Sequence, residues 1–92
     1  MTAALTGTVE VPNRLGLHAR AAAKLVNLAN RFASHIEVSK GDQLADAKSI
    51  MGVLLLCGGQ GASLTFHVSG PDAQSALDAL CALVADGFGE LQ

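Results

Sequence analysis

Residues 63–84 read SLTFHVSGPDAQSALDALCALV, and the hydrophobic period of this segment changes midway. In its first half Leu64, Phe66 and Val68 occupy every second position, which predicts a strand that buries one face. The Gly-Pro-Asp sequence at 70–72 ends that strand and begins a helix, with its proline in the first turn and its aspartate near the positive end of the helix dipole. The buried stripe predicted for this helix contains Ala73, Leu77, Leu80, Cys81 and Val84.

The segments before this one predict three further strands and two helices, from the same two periodicities and from turn signals. The order along the chain is therefore β-α-β-β-α-β-α. Crossovers of these lengths suit an α+β fold, in which helices cover one face of a single four-stranded antiparallel sheet. The strands are predicted at residues 6–11, 35–39, 43–46 and 64–69, and the helices at 19–30, at 49–54 and from the Gly-Pro-Asp sequence at 70–72 onward.

The composition describes a single domain with an aliphatic core. The chain has 92 residues, of which 50% are hydrophobic and 15% are charged, and this length leaves no room for a second core. The net charge of -2 and the absence of Tyr and Trp argue against nucleic-acid binding. No apolar run approaches the roughly 20 residues of a membrane span, and no signal peptide is recognisable. We therefore expect a cytoplasmic monomer that inserts into no membrane.

Metal and cofactor chemistry fits the sequence poorly. Cys57 and Cys81 are too few and too far apart for a disulfide framework or a CxxC metal site, and we expect both to be reduced thiols. His18, His35 and His67 lie on separate elements, without the cysteines or carboxylates that complete a metal site. The glycine-rich segment before the last strand matches no nucleotide-binding loop. The sequence predicts neither a metal nor a cofactor.

The charges are unevenly distributed along the chain. Residues 1–48 hold all six basic side chains and four acidic ones, whereas the remaining residues hold four acidic side chains and no Lys or Arg. A basic end on a small domain suggests an anionic ligand or an acidic partner, although ordinary solvated surface fits the charges equally well. The basic face predicted for the first helix contains Arg20, Lys24, Asn27 and Arg31.

The segment NRLGLHAR, residues 13–20, places His18 at the start of a helix, directly after a glycine-containing loop. The free backbone N–H groups of a helix N-terminus attract anions, and Arg14 and Arg20 add positive charge there. An unprotonated ring nitrogen beside such a site is a nucleophile suited to phosphoryl transfer. The alternative is a histidine that only packs at the start of the helix.

This segment closely resembles the active-site signature of HPr, the histidine-containing phosphocarrier protein family. The sequence KSIMGV at 48–53 resembles that family's regulatory serine segment, and residues 70–73 and 87–90 resemble its last helix and tail. The resemblance extends over residues 9–90. It implies an open-faced β-sandwich and a role in the phosphoenolpyruvate-dependent phosphotransferase system, as a carrier rather than a self-sufficient enzyme.

The resemblance also implies a role for individual residues. His18 would accept phosphate from enzyme I on a ring nitrogen and pass it to enzyme II A-type domains, with Arg20 as phosphate partner. Ser49 would be the regulatory site, modified by an HPr kinase/phosphorylase where one is present. Ala21 stands where the family commonly has proline, so we expect the helix start to persist with less rigidity. The residues predicted to dock partners are Arg14, Lys24, Ile50, Met51 and Leu54.

Two other classes of function stay open at this point. One is a purely regulatory binding module, in which a phosphorylated serine controls a partner and His18 carries little phosphate. The other is a small-molecule sensor with the same arrangement of sheet and helices. His18 together with Arg20 favours the carrier, and nothing in the sequence marks the ligand pocket that a sensor needs.

Overall fold

The computed structural model describes residues 4–56 and 58–90. Within these ranges the elements occur in the predicted order, and a tight turn at Gly87–Gly89 follows the last helix. The strands are β1 (Leu5–Glu10), β2 (His35–Lys40), β3 (Gln43–Asp46) and β4 (Ser63–Ser69), and the helices are α1 (Ala19–Ala29), α2 (Ile50–Leu55) and α3 (Ala73–Ala85).

The four strands form one antiparallel sheet in the order β1-β4-β2-β3. The last strand of the chain therefore lies between β1 and β2, where Phe66 pairs with Gly7 on one side and with Val38 on the other. Residues alternate between the two faces, and the face that contains Phe66 is buried under the helices. The outer face carries polar pairs such as Thr8 with Thr65, whose hydroxyls are hydrogen-bonded at 2.9 Å. The predicted open-faced sandwich is confirmed.

The core fills the space between the sheet and the helices, and its side chains are almost entirely aliphatic. The stripe predicted for the last helix is buried as expected at Ala73, Leu77, Leu80 and Val84, while Cys81 is half-buried against the core. Cys57 lies outside the described residues. The buried face of α1 contains Ala21, Ala22, Leu25, Val26 and Ala29.

The first strand ends one residue earlier than predicted, at Glu10. Val11 is nevertheless fully buried, and its N–H and carbonyl pair with Ala62 O and Gly61 N, each at 2.8 Å. Pro12 follows and has no N–H to extend the pairing, so the chain leaves the sheet there. The loop that leads to His18 therefore starts from a fixed point beside the segment that precedes β4.

Asp72 is the residue directly before α3, near the positive end of its dipole as predicted, whereas Pro71 precedes it and lies outside the first turn that it was expected to join. The Asp72 carboxylate makes no capping hydrogen bond. It accepts hydrogen bonds instead from the backbone N–H groups of Ala33 and Ser34, both at 2.9 Å, and from the Ser34 hydroxyl. These hydrogen bonds, that of the Ser34 hydroxyl first, hold the pKa of Asp72 below its ordinary value of 3.8. The carboxylate thus joins the start of α3 to the start of β2.

Candidate functional site

The loop before α1 is held in place by close backbone packing against a glycine segment. Gly16 has a φ of +63°, and a Cβ added there would lie 2.4 Å from the carbonyl oxygen of Gly58. The next residue, Leu17, is buried and donates its N–H to the same carbonyl at 2.6 Å. Glycine at position 16 therefore allows the approach that sets where His18 enters the helix.

His18 is the N-cap residue of α1, with an extended backbone at φ -77° and ψ 179°. Its carbonyl accepts the N–H of Ala22 at 2.8 Å, and its ring Nδ1 accepts the N–H of Arg20 at 3.3 Å. One ring nitrogen therefore faces the positive end of the helix dipole, which favours a negative charge. The side chain is 24% exposed, so the ring is accessible at the surface.

The other ring nitrogen of His18 contacts the carboxylate of Glu90. Nε2 is hydrogen-bonded to Glu90 Oε2, although the two residues are 72 positions apart in sequence. The Glu90 side chain is only 10% exposed, and its other oxygen accepts from Asn13 Nδ2 at 3.0 Å. Burial by itself would raise the pKa of Glu90, but the hydrogen bonds from His18 and Asn13 outweigh that effect and hold the pKa below its ordinary value of 4.5.

The buried side chain of Asn13 forms hydrogen bonds to both the loop before α1 and the carboxylate of Glu90. Its exposure is 3%, and Nδ2 donates to the carbonyl of Gly16 at 3.0 Å as well as to Glu90. The amide orientation follows from these partners, since both are acceptors. The loop before the helix and the end of the described chain are thereby joined to one amide group.

The turn at Gly87–Gly89 brings Glu90 to the histidine. All three of its residues have positive φ, including Phe88 at +58°, which is the one such residue other than glycine among residues 4–56 and 58–90. The Phe88 side chain is fully buried, and its carbonyl accepts from Lys24 Nζ at 2.7 Å. The buried ring offsets the cost of the left-handed backbone and fixes the direction in which the chain continues.

The two arginines predicted for the site lie at the surface beside it. Arg14 and Arg20 are exposed, and within the described part of the chain neither forms an ion pair. After the hydrogen bonds from His18 and Asn13, the positive charge of Arg20 also helps to lower the pKa of Glu90. Ala21 is fully buried, and the helix begins at Ala19 without the proline that the family commonly has after its active-site arginine.

Large exposed apolar side chains occur in the loop before α1 and on α2. Met51 is 66% exposed and Ile50 is 43% exposed, as the docking prediction requires. Leu54, the third predicted member, is instead half-buried and packs against the core, because it lies on the inner side of the short helix. We refer to the exposed side chains of Leu15, Ile50, Met51 and Leu55 as the apolar surface.

Ser49 is the N-cap residue of α2, as its position in the sequence suggested. Its Oγ accepts the N–H of Gly52 at 3.2 Å, and the side chain is half-buried. The preceding residue, Lys48, donates from Nζ to the carbonyl of Phe32 at 2.8 Å. Ser49 therefore begins the helix that presents Ile50 and Met51.

The remaining histidines lie on strands, away from the start of α1. His35 is exposed and lies 3.5 Å from the Glu37 carboxylate, while His67 is half-buried and lies 3.1 Å from the Ser39 hydroxyl. Residues 4–56 and 58–90 contain no group of three or more His, Cys, Asp or Glu side chains arranged to hold a metal ion. In the same ranges, no helix has the length and hydropathy needed to cross a membrane.

Two residues of this site were not predicted from the sequence. Asn13 belongs to the NRLGLHAR segment but received no role, and Glu90 belongs to a tail noted only for its resemblance to a family. A polar residue such as Asn13 between Pro12 and a basic residue reads as an ordinary turn. No local pattern indicates that Glu90 contacts His18, since that contact depends on how the chain ends pack.

The comparisons with known proteins agree with this fold. The profile of the PTS HPr component phosphorylation site family matches residues 5–86. Phosphocarrier protein HPr of Cupriavidus necator is 54% identical over 78 residues, which cover 85% of this chain and 88% of the relative. Phosphocarrier protein NPr of Shewanella violacea is 48% identical over 82 residues, covering 89% and 90%. The crystal structure of HPr-C-His from Thermoanaerobacter tengcongensis superposes with a TM-score of 0.91 at 40% identity, covering 96% and 99% of the two chains.

The open-faced sandwich, the family profile and the similar sequences together place the chain among the small phosphocarrier proteins. The chain belongs to the HPr family of the phosphotransferase system.

Proposed function

We propose that the chain carries a phosphoryl group on His18, which it accepts from phosphorylated enzyme I and passes to enzyme II A-type domains. The observation that carries this proposal is the position of His18 as the N-cap residue of α1, with Nδ1 directed at the N–H of Arg20. A nucleophile at that point lies where a helix terminus stabilises the incoming negative charge.

The transfer places the phosphoryl group on Nδ1. The lone pair of Nδ1 attacks phosphorus while the bond from phosphorus to the donor breaks, and the electron pair of that bond leaves with the donor. Most of the catalytic effect in phosphoryl transfer comes from positioning and charge stabilisation. Here α1 supplies oriented N–H groups, and the exposed guanidinium of Arg20 supplies a positive charge.

The partners dock, in this proposal, over the apolar surface and the basic residues around His18. Met51 and Leu55 offer large exposed side chains that a partner would desolvate, and Arg14 and Lys24 favour an acidic surface. Ser49 is the regulatory site, because a phosphate there adds a dense negative charge beside Ile50 and Met51. The chain acts as a monomer in this scheme.

The experiment is phosphorylation by phosphoenolpyruvate and enzyme I, followed by mass spectrometry of acid-labile, base-stable phosphate. The variants His18→Ala, His35→Ala and His67→Ala form a matched set, since each removes one imidazole from a partly or fully accessible position. We expect labelling to be lost in the first variant alone. Undiminished labelling of His18→Ala would exclude the carrier function at this residue and favour a regulatory binding module.

A further inference from the structure

The carboxylate of Glu90 and the amide of Asn13 form a chain of contacts that ends on His18. Nε2 of the ring meets Glu90 Oε2, and Glu90 Oε1 accepts from Asn13 Nδ2 at 3.0 Å. Asn13 is in turn held by the carbonyl of Gly16 at 3.0 Å. A carboxylate accepts hydrogen bonds and donates none, so the hydrogen of the first contact belongs to Nε2.

We infer that Glu90 is a positioning residue for phosphoryl transfer, which keeps a proton on His18 Nε2 and so presents Nδ1 as the reacting nitrogen. The inference rests on the proposed function of His18. A neutral imidazole has one protonated nitrogen and one with a free lone pair, and a partner on either nitrogen selects the tautomer. Here Nε2 has an acceptor and Nδ1 has a donor, the N–H of Arg20, so both contacts select the same tautomer.

The retained proton matters in both directions of transfer. When His18 accepts phosphate, the Nε2–H hydrogen bond to a carboxylate raises the electron density of the ring and makes Nδ1 a better nucleophile. When it donates, the bond between Nδ1 and phosphorus breaks and its electron pair returns to Nδ1. Because Nε2 already holds its proton, the ring leaves as neutral imidazole and not as the much more basic imidazolate.

The burial of Glu90 makes its hydrogen bond to His18 stronger than the same bond would be between exposed side chains. Its side chain is 10% exposed, so water competes little for its oxygens. The turn before it is fixed by the buried Phe88 ring and by the hydrogen bond from Lys24 to the Phe88 carbonyl. Asn13 then leaves the carboxylate little freedom to turn away from Nε2.

The first test is a tautomer measurement that requires no phosphotransfer. Ring ¹⁵N chemical shifts of His18 distinguish a protonated from an unprotonated nitrogen. In the unsubstituted chain we expect Nε2 to carry the proton when the ring is neutral, and in Glu90→Ala we expect a mixture of both tautomers. Glu90→Asp keeps the charge with a shorter reach and should give an intermediate result. Identical tautomer populations in all three would overturn the inference.

The second test measures the rate of phosphoryl transfer in both directions. We expect Glu90→Ala to slow transfer by about tenfold, the lower end of what a lost histidine-orienting partner costs at metal sites. Glu10→Gln changes the net charge equally, in a residue that faces solvent on β1, and should leave the rate unchanged. The total label at His18 should still reach the same level in Glu90→Ala.

The outcomes separate this inference from the function on which it rests. If the unsubstituted chain takes no label at His18, the carrier function fails and the tautomer measurement alone tests Glu90. If the chain is labelled normally and Glu90→Ala matches it in both rate and tautomer, the role of Glu90 is excluded while the carrier function stands. Melting curves of the variants show whether each has folded.

Discussion

Lys24 Nζ donates a hydrogen bond of 2.7 Å to the carbonyl oxygen of Phe88, which ties the middle of α1 to the turn after α3. Lys24, which was predicted to dock partners, therefore also has a structural role within the chain. Phe88 is fully buried at a positive φ, so its carbonyl has a defined direction. Lys24 thereby supports the segment from which Glu90 reaches His18.

Charge reversal on α1 separates the docking role of Lys24 from its structural role. Lys24→Glu and Arg31→Glu each change the charge of the exposed helix face by the same amount. Both should slow phosphorylation by enzyme I at low ionic strength, because long-range attraction to an acidic partner is weakened. At high salt Arg31→Glu should recover the unsubstituted rate, whereas Lys24→Glu should remain slower since it has also lost the Phe88 contact. Stopped-flow transfer rates across a salt series check this. If the slower transfer of Lys24→Glu disappears completely at high salt, the contact of Lys24 with Phe88 does not contribute to the rate.

The two glycines at positions 16 and 41 test the backbone packing below His18. Both have left-handed φ values, +63° and +59°, but only Gly16 has a neighbouring backbone within contact of an added Cβ. Gly41→Ala should cost about 1–2 kcal/mol, the usual penalty for a side chain in this conformation. Gly16→Ala should cost clearly more and should also slow transfer, because the loop must move away from Gly58. Urea denaturation of both variants measures the difference, and equal losses would show that packing against Gly58 adds nothing.

The hydrogen bonds that Asp72 accepts from Ala33 and Ser34 should make the stability of the chain depend on pH. The folded-state pKa of Asp72 lies below the ordinary value of 3.8, so its contribution is fully present above that pH and is lost as the pH falls through the folded-state pKa. Asp72→Asn should therefore be less stable than the unsubstituted chain at neutral pH, and the gap should narrow below about pH 3.8. Asp78→Asn on the exposed face of α3 is the control and should show little gap at either pH. Denaturant melts at pH 7 and at acidic pH give the comparison; a gap that persists in acid would contradict the prediction.

Substitutions at Ser49 separate its cap from its proposed regulation. Ser49→Ala removes the acceptor for the Gly52 N–H and should cost about 0.5–2 kcal/mol. Ser49→Asp keeps an N-cap oxygen and should retain its melting temperature, yet bind enzyme I more weakly because negative charge now lies beside the apolar surface. Titration calorimetry and thermal melts measure the two effects. Unchanged affinity in Ser49→Asp would leave the residue with a structural role only.

Adjacent leucines at the end of α2 distinguish docking from packing. Leu55 is 68% exposed and Leu56 is 2% exposed, although the two side chains are chemically identical. Leu55→Ala should change the free energy of unfolding by less than about 0.5 kcal/mol and should weaken partner binding. Leu56→Ala should cost about 2–5 kcal/mol through the cavity that it leaves. Leu54 is half-buried, so the loss of stability in Leu54→Ala should lie between those of the other two variants. If Leu55→Ala binds enzyme I normally, the apolar surface does not reach the partner at this end.

The elements themselves could be predicted because each has a local cause. The alternation of Leu64, Phe66 and Val68 and the glycine-proline break at 70–71 determine where β4 ends and α3 begins. His18 and Ser49 were likewise placed at helix starts, since capping involves only the first few residues of a helix. Contacts between residues that are distant in sequence were not predicted. The carboxylate of Asp72, for example, accepts hydrogen bonds from the backbone and the hydroxyl of Ser34, 38 positions away.

By itself the sequence determined the order of strands and helices, the buried faces of β4 and α3, and the residue at the N-terminus of α1, because all of these follow from periodicity and short-range hydrogen bonding. The tertiary structure alone decided that Glu90 lies on the second nitrogen of His18, across 72 positions of sequence. That contact requires the packing of α3 on the sheet, the buried Phe88 ring and the left-handed turn together. Since no single one of these directs the carboxylate, no local pattern can indicate it.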